Sequence, residues 1–184
     1  ERRRHLRGIV NGIDYNVFNP MKDTYPDKHF SVRELSGKVV NKRQLQEKYG
    51  LAVDKDVMLI GIVSRLTNQK GFDLVAYVME EMLSTMNVQF IVQGTGEQQY
   101  EEMFNYFHGR YPQKLGVYIV YSDENAHEIY AGCDAFLMPS LFEPCGLSQL
   151  IALRYGTVPI VRETGGLRDT VLSYNEYTGD VNGF

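Results

Sequence analysis

The chain has 184 residues, 43% of them hydrophobic, and a formal net charge of −4. That length suits one domain with a sizeable core, and the acidic balance argues against a general nucleic-acid binder. No apolar run approaches the roughly 20 residues that a membrane-spanning helix needs, so neither nucleic acid nor membrane is an expected partner.

The start, Glu1-Arg2-Arg3-Arg4-His5, carries no signal-peptide pattern. Cys133 and Cys145 have no metal-ligand spacing and are too few for a disulfide framework, which fits a reducing, cytosol-like compartment. The chain lacks an initiator Met and stops at Asn182-Gly183-Phe184 without an obvious cap. It reads as a piece cut from a longer protein.

Residues 1–50 read as polar and irregular, with a short strand candidate at Leu6–Val10. Turn signals follow at Asn11-Gly12-Ile13-Asp14, Phe18-Asn19-Pro20 and Tyr25-Pro26-Asp27. Lys38 to Lys48 suits a helix closed by Gly50. From Val57 the pattern becomes regular. Val57 to Val63 is apolar throughout, as a buried parallel strand is. Phe72, Val75, Val78, Met79, Met82 and Leu83 then recur at helical spacing. Val88 to Val92 predicts the next strand and Glu97 to Phe107 a helix. Val117–Val120, Asp134–Met138 and Thr157–Val161 predict three more strands. Helices are expected at Ala126–Ala131, Leu147–Tyr155 and from Leu167 to Leu172. The alternation predicts an α/β fold, a doubly wound, Rossmann-like parallel sheet with helices on both faces. Ligands bind such sheets outside the carboxyl ends of the strands.

Every distinctive polar cluster falls at such an end. After the first strand, Ser64-Arg65-Leu66-Thr67-Asn68-Gln69-Lys70-Gly71 carries two cations, Arg65 and Lys70. They are either solvated loop charges or a pair placed for a diphosphate. Arg presents a planar fork and Lys a point charge, so the two can serve different oxygens. Their place beside a helix start favours phosphate. After the second strand, Gly94-Thr95-Gly96 is a plain tight turn or a place where backbone approaches a ligand. It is not the dinucleotide fingerprint, because Gln99 stands where a third glycine belongs, and that argues against a dehydrogenase.

After the third strand comes Tyr121, either half-buried or offering its ring to a base. After the fourth comes Phe142-Glu143-Pro144-Cys145-Gly146-Leu147-Ser148-Gln149. A carboxylate at a strand end, beside the free N–H groups of a helix start, suits a sugar–phosphate ligand. The alternative is that Glu143 caps the helix. Cys145 has no histidine near it in sequence and is a poor nucleophile candidate. His127 reads as a surface or packing residue. After the fifth strand, Thr164-Gly165-Gly166 forms a tight turn at a helix start and another close backbone approach.

These motifs, in this order, resemble the carboxyl-terminal domain of bacterial and plant glycogen/starch synthases, retaining glycosyltransferases of the GT-B fold that use ADP-glucose. The blocks run from Asn11-Gly12-Ile13-Asp14 with Phe18-Asn19-Pro20, through Ser64-Arg65-Leu66-Thr67, Gln69-Lys70-Gly71 and Glu143 to Gln149. They continue with Tyr155-Gly156-Thr157 and end in Thr164-Gly165-Gly166-Leu167 with Asp169-Thr170-Val171. The resemblance implies that Arg65 and Lys70 hold the diphosphate and that Glu143 binds the donor glucose hydroxyls near the 3-position. It puts Gly146, Leu147 and Ser148 at the distal phosphate and Tyr121 on adenine, with Gly94, Thr164 and Gly165 as further substrate-binding positions. Phe18-Asn19-Pro20 would lie near the hinge to a second domain.

The resemblance further implies a 1–50 segment packed near the hinge and a 51–184 donor domain. The partners would be ADP-glucose or ADP, and an α-1,4-glucan held through the other domain. No cofactor and no metal are expected, since no carboxylate cluster suggests a cation site. The compartment would be the bacterial cytoplasm or the plastid stroma, and the isolated piece would be inactive.

Many related GT-B enzymes carry a second glutamate that binds the ribose, where this chain has Ile151. That departure weighs against the sucrose- and trehalose-type enzymes that use UDP-sugars, and it leaves open what holds the ribose. A non-catalytic nucleotide-sugar-binding module would break the charge set, whereas Arg65, Lys70 and Glu143 are all present.

Overall fold

Five parallel strands make one sheet in the computed structural model, which describes residues 7–184. They are β1 (Met58–Val63), β2 (Val88–Gln93), β3 (Leu115–Tyr118), β4 (Ala135–Met138) and β5 (Val158–Val161), in the order β3-β2-β1-β4-β5. The helices are α1 (Ser36–Lys48), α2 (Phe72–Thr85), α3 (Gln98–Arg110), α4 (Asp123–Gly132), α5 (Ser148–Arg154) and α6 (Gly165–Thr170). The expected doubly wound architecture is present.

Alternation along each strand divides the core between the two faces. Ile60, Ile62 and Phe90 join Phe72, Met79 and Phe104 of α2 and α3 on one side. Leu59, Ile91 and Phe136 join Ile129 of α4, Ile151 of α5 and Tyr155 just past α5 on the other. All six residues of β2 are buried, as a strand covered on both faces requires. The chain runs outward from β1 to β3, then returns to place β4 on the other side of β1. The strand order therefore reverses between β1 and β4, and a crevice opens there beyond the strand ends.

Some boundaries differ from the sequence expectation. β3 begins two residues early, because Leu115 pairs with Phe90 and the Val120 N–H turns back to the Tyr118 carbonyl. α4 starts at Asp123 rather than Ala126. The Ser122 hydroxyl accepts the Asn125 N–H at 3.2 Å, and Asp123 and Glu124 sit in the positive first turn. α6 stops at Thr170 and does not reach Leu172. The strand expected at Leu6–Val10 does not form over residues 7–10, where Ile9 is exposed; Leu6 lies outside the described residues. The closure of α1 by Gly50 is as expected: Gly50 is left-handed, and the Gly50 and Leu51 N–H groups bond the Glu47 and Gln46 carbonyls.

The segment ahead of α1 has almost no regular structure, yet it is anchored. Asp23, 5% exposed, accepts hydrogen bonds from His127 Nδ1 at 2.7 Å and from the Tyr155 hydroxyl. Burial alone would raise the Asp23 pKa. The bonds from His127, Tyr155 and the Tyr25 N–H outweigh it and hold the carboxyl below its ordinary value. Lys38 Nζ donates to the Ala131 and Tyr155 carbonyls at 3.2 Å and to Thr157 Oγ1 at 2.7 Å, tying α1 to the ends of α4 and α5. Burial lowers the Lys38 ammonium to about 8. His127 is buried and not on the outer surface.

Candidate functional site

The site is built where the loops after β1 and β4 meet. Past β1 the chain makes a short 3₁₀ turn at Asn68–Lys70 and a left-handed Gly71, then enters α2. This loop is tied to the next strand on one side: the Leu66 N–H bonds the Thr95 carbonyl at 2.9 Å, and the Glu97 N–H bonds the Leu66 carbonyl at 2.7 Å. On the other side the Leu141 N–H bonds the Gln69 carbonyl at 2.9 Å, and Gln69 Nε2 bonds the Phe142 carbonyl at 3.0 Å.

Those ties bring Lys70 to Glu143, 73 positions away in sequence. Lys70 Nζ and Glu143 Oε2 stand 2.5 Å apart, and their side chains are 17% and 11% exposed. The Ser140 hydroxyl donates to the same carboxylate oxygen at 3.2 Å. Glu143 does not cap α5, whose first turn receives no side-chain bond. Of the two readings of Glu143, the helix cap is therefore excluded. Arg65 is exposed, and its guanidinium makes no ion pair among the described residues. Lys70 is thus pre-paired with a carboxylate, whereas Arg65, among the described residues, is not.

Two adjoining cavities lie over the strand ends. The smaller, ≈ 200 Å³, is lined by Arg65, Lys70, Met138, Ser140 and Ser148 among others. The larger, ≈ 320 Å³, runs past Gly94 and Thr95 to Tyr121, His127 and Ile151. Both touch Val63, Ser64, Arg65 and Ser148, so they form one cleft. The combined space falls in the range of small-molecule sites, roughly 300–1,000 Å³.

Tyr121 is 80% exposed and walls the larger cavity. Its hydroxyl donates to Asp123 Oδ1 at 2.8 Å, which fixes the ring and raises the pKa of the hydroxyl. Gln93 Nε2 donates to the Ser122 carbonyl at 2.7 Å and holds that loop to the end of β2. Leu147 and Ser148 line the cleft, but Gly146 does not. The fully buried Gln149 bonds the Cys145 and Gly146 carbonyls at 3.0 and 3.2 Å and shapes this turn.

Two glycines among the expected ligand positions are explained by chain packing. A Cβ on Gly94 would strike the Ser64 carbonyl, so Gly94 lets the β1 and β2 loops close up while its other side faces the cavity. A Cβ on Gly165 would strike the Glu143 carbonyl, which also accepts the Gly166 N–H at 2.9 Å. Thr164 and Gly165 thus stand behind the Glu143 loop and brace it, and they line neither cavity.

The sequence does not single out Ser140, and it places Phe18 near a hinge and His127 at the surface or in packing, not in a cavity lining. Ser140 follows a strand end and was open to the same rule that found its neighbours. Phe18 and His127 meet only through the folded chain. Among the described residues no group of His, Cys, Asp or Glu side chains suits a metal ion.

Residues 41–183 match the family model described as "Glycosyl transferases group 1". The chain is 53% identical to a glycogen synthase of Clostridium beijerinckii over its whole length, covering 38% of that protein. It is 57% identical to a glycogen synthase of Lachnospira eligens, over 97% of the chain and 37% of that protein. The chain therefore spans less than half the length of these curated relatives. Among solved structures it is similar to the catalytic domain of starch synthase IV from Arabidopsis thaliana bound to ADP and acarbose. The TM-score there is 0.89 at 35% identity, over 96% of this chain and 37% of that one. The chain belongs to the glycosyl transferases group 1 family, and its five-stranded sheet is the Rossmann-like layer of a GT-B glycosyltransferase.

Proposed function

We propose that this chain is the donor-binding half of a retaining glucosyltransferase of the glycogen/starch synthase type. It moves glucose from ADP-glucose to the non-reducing end of an α-1,4-glucan. The observation that carries this reading is the cleft at the β1–β4 switch point, lined by Arg65, which makes no ion pair among the described residues, and by Lys70, whose ammonium is paired with Glu143 just outside that lining. The similar starch synthase IV catalytic domain, bound to ADP and acarbose, supports the nucleotide.

The base lies on Tyr121. The diphosphate meets Arg65, Lys70 and the first N–H groups beyond Leu147. α5 has only seven residues, so its dipole adds little and the two cations carry most of the anion's charge. Glucose sits toward Glu143. As the bond between the anomeric carbon and the diphosphate oxygen breaks, its electron pair leaves with the diphosphate. An acceptor hydroxyl attacks from the same face and gives its proton to the departing oxygen. Arg65 and Lys70 stabilise the charge that grows there, and Glu143 orients the sugar and stabilises the positive charge growing on it. No cofactor enters this chemistry.

The 1–50 segment is the hinge-proximal part and 51–184 the donor domain. The glucan acceptor binds largely through the other half of the parent enzyme, so the isolated chain binds donor without transferring it. A bacterial cytoplasm or plastid stroma suits this reading. Among the described residues no helix is long and apolar enough to cross a membrane.

Calorimetric titration of the parent enzyme tests the donor site. ADP should bind clearly and UDP more weakly, and Tyr121→Ala should weaken ADP by ~1–3 kcal/mol, the range for stacking a base on an aromatic ring. Tighter binding of UDP would favour a UDP-sugar enzyme. Unchanged ADP affinity in Tyr121→Ala would retire the stacking role.

A further inference from the structure

Part of the larger cavity's lining is made by residues distant in sequence. Phe18 comes from the irregular segment, His127 from α4 and Ile151 from α5, and all three line the cavity. The His127 ring is held on several sides. Phe18 stacks on one face, with centroids 4.8 Å apart and planes 21° apart. Tyr25 meets it edge-on at 5.0 Å. Nδ1 bonds Asp23 Oδ2 at 2.7 Å. Nε2 has no hydrogen-bond partner among the described residues, nor is it a buried orphan. It is therefore the polar atom that this ring has left to offer to the cavity.

Which form Nε2 takes follows from Asp23. An ionised carboxylate only accepts hydrogen bonds, and Asp23 stays ionised because its partners outweigh its burial. The proton of a neutral imidazole therefore sits on Nδ1, facing Asp23. In that form Nε2 carries the lone pair, on a ring held between Phe18 and Tyr25. A carboxylate orienting a histidine through one nitrogen, so that the other performs a defined task, is a common arrangement. Of Phe18, His127 and Ile151, only His127 carries a polar side-chain atom.

We propose that His127 Nε2 accepts a hydrogen bond from a ribose hydroxyl of the bound nucleotide, with Asp23 as the positioning residue that fixes its tautomer. The proposal rests on the donor-site reading above. It places the ribose against the Phe18–His127–Ile151 wall, between the base on Tyr121 and the diphosphate at Arg65. It also gives the anchored 14–23 segment a part in nucleotide binding, because Asp23 and Phe18 set the ring's position.

The test compares ADP with 2′-deoxy-ADP and 3′-deoxy-ADP, by calorimetry, on the parent enzyme and on His127→Phe. Phe keeps the stack on Phe18 and removes both nitrogens. The unmodified enzyme should prefer ADP to one of the two deoxy analogues by about 5–10-fold, as for one lost neutral hydrogen bond. His127→Phe should bind ADP and that analogue equally well. His127→Asn, which can still donate to Asp23 but is too short to reach the cavity, should abolish the preference in the same way if Phe at this position disturbs folding.

A histidine that only packs would give variants weaker for all three ligands with the preference intact, and that result overturns the proposal. So does an unmodified enzyme that binds all three ligands alike. Failure of the unmodified enzyme to bind ADP at all would instead overturn the donor-site reading, so the two failures are distinct.

Discussion

Arg65→Ala and Lys70→Ala should each lower turnover of the parent enzyme with ADP-glucose by ~100-fold or more, the scale seen when one preorganised group that stabilises transition-state charge is removed. The diphosphate gains charge as its bond to the sugar breaks, and the cleft offers it two cations of different kinds. The structure separates their side effects. Arg65 is exposed and unpaired among the described residues, so Arg65→Ala should leave thermal stability unchanged. Lys70 is paired with a carboxylate whose side chain is 11% exposed, so Lys70→Ala strands Glu143 with Ser140 as its remaining side-chain partner. That should destabilise the fold by about 1–3 kcal/mol, the cost of leaving a buried polar group unsatisfied. Steady-state kinetics with parallel thermal melts reads both effects. A change in turnover of less than a few-fold in Arg65→Ala would remove the diphosphate role.

Glu143→Gln should lower turnover by ~100-fold while moving ADP affinity by less than about threefold, for a different physical reason. Gln keeps the size and an acceptor oxygen but carries no charge. ADP lacks the sugar, so a group that acts on glucose should matter little to ADP and much to transfer. The contact with Lys70 provides the competing explanation. If the carboxylate served only to hold Lys70 in place, ADP affinity and turnover would fall together. Measuring both on one variant separates the roles, and equal losses would reduce Glu143 to a scaffold for Lys70.

How far the sequence foretold this site depends on the range of the interactions involved. Strands such as Val88–Gln93, buried at every position, announce themselves as unbroken apolar runs. Loops after strands are marked by their glycines and charges, so Arg65, Lys70, Tyr121 and Glu143 stood out. Local pattern does not give strand order. That β4 lies beside β1, which is what brings Lys70 to Glu143, is a tertiary fact. The sequence pattern starts β3 at Val117, too late, because Leu115 and Gly116 owe their strand state to pairing with Phe90 and Ile91. Asp23, His127 and Tyr155 could not be grouped in advance, since the bonds among them join a turn-rich segment to two helices. Thr164 and Gly165 sit in a conspicuous motif, yet the contact that explains Gly165 is with backbone behind Glu143.

The most direct test of the central claim is a transfer assay on the parent enzyme with labelled ADP-glucose and an α-1,4-glucan primer. Label should enter the glucan in new terminal α-1,4 linkages, and the chain alone should bind ADP without transferring label. Elongation from UDP-glucose but not from ADP-glucose, or a product of inverted linkage, would contradict the account.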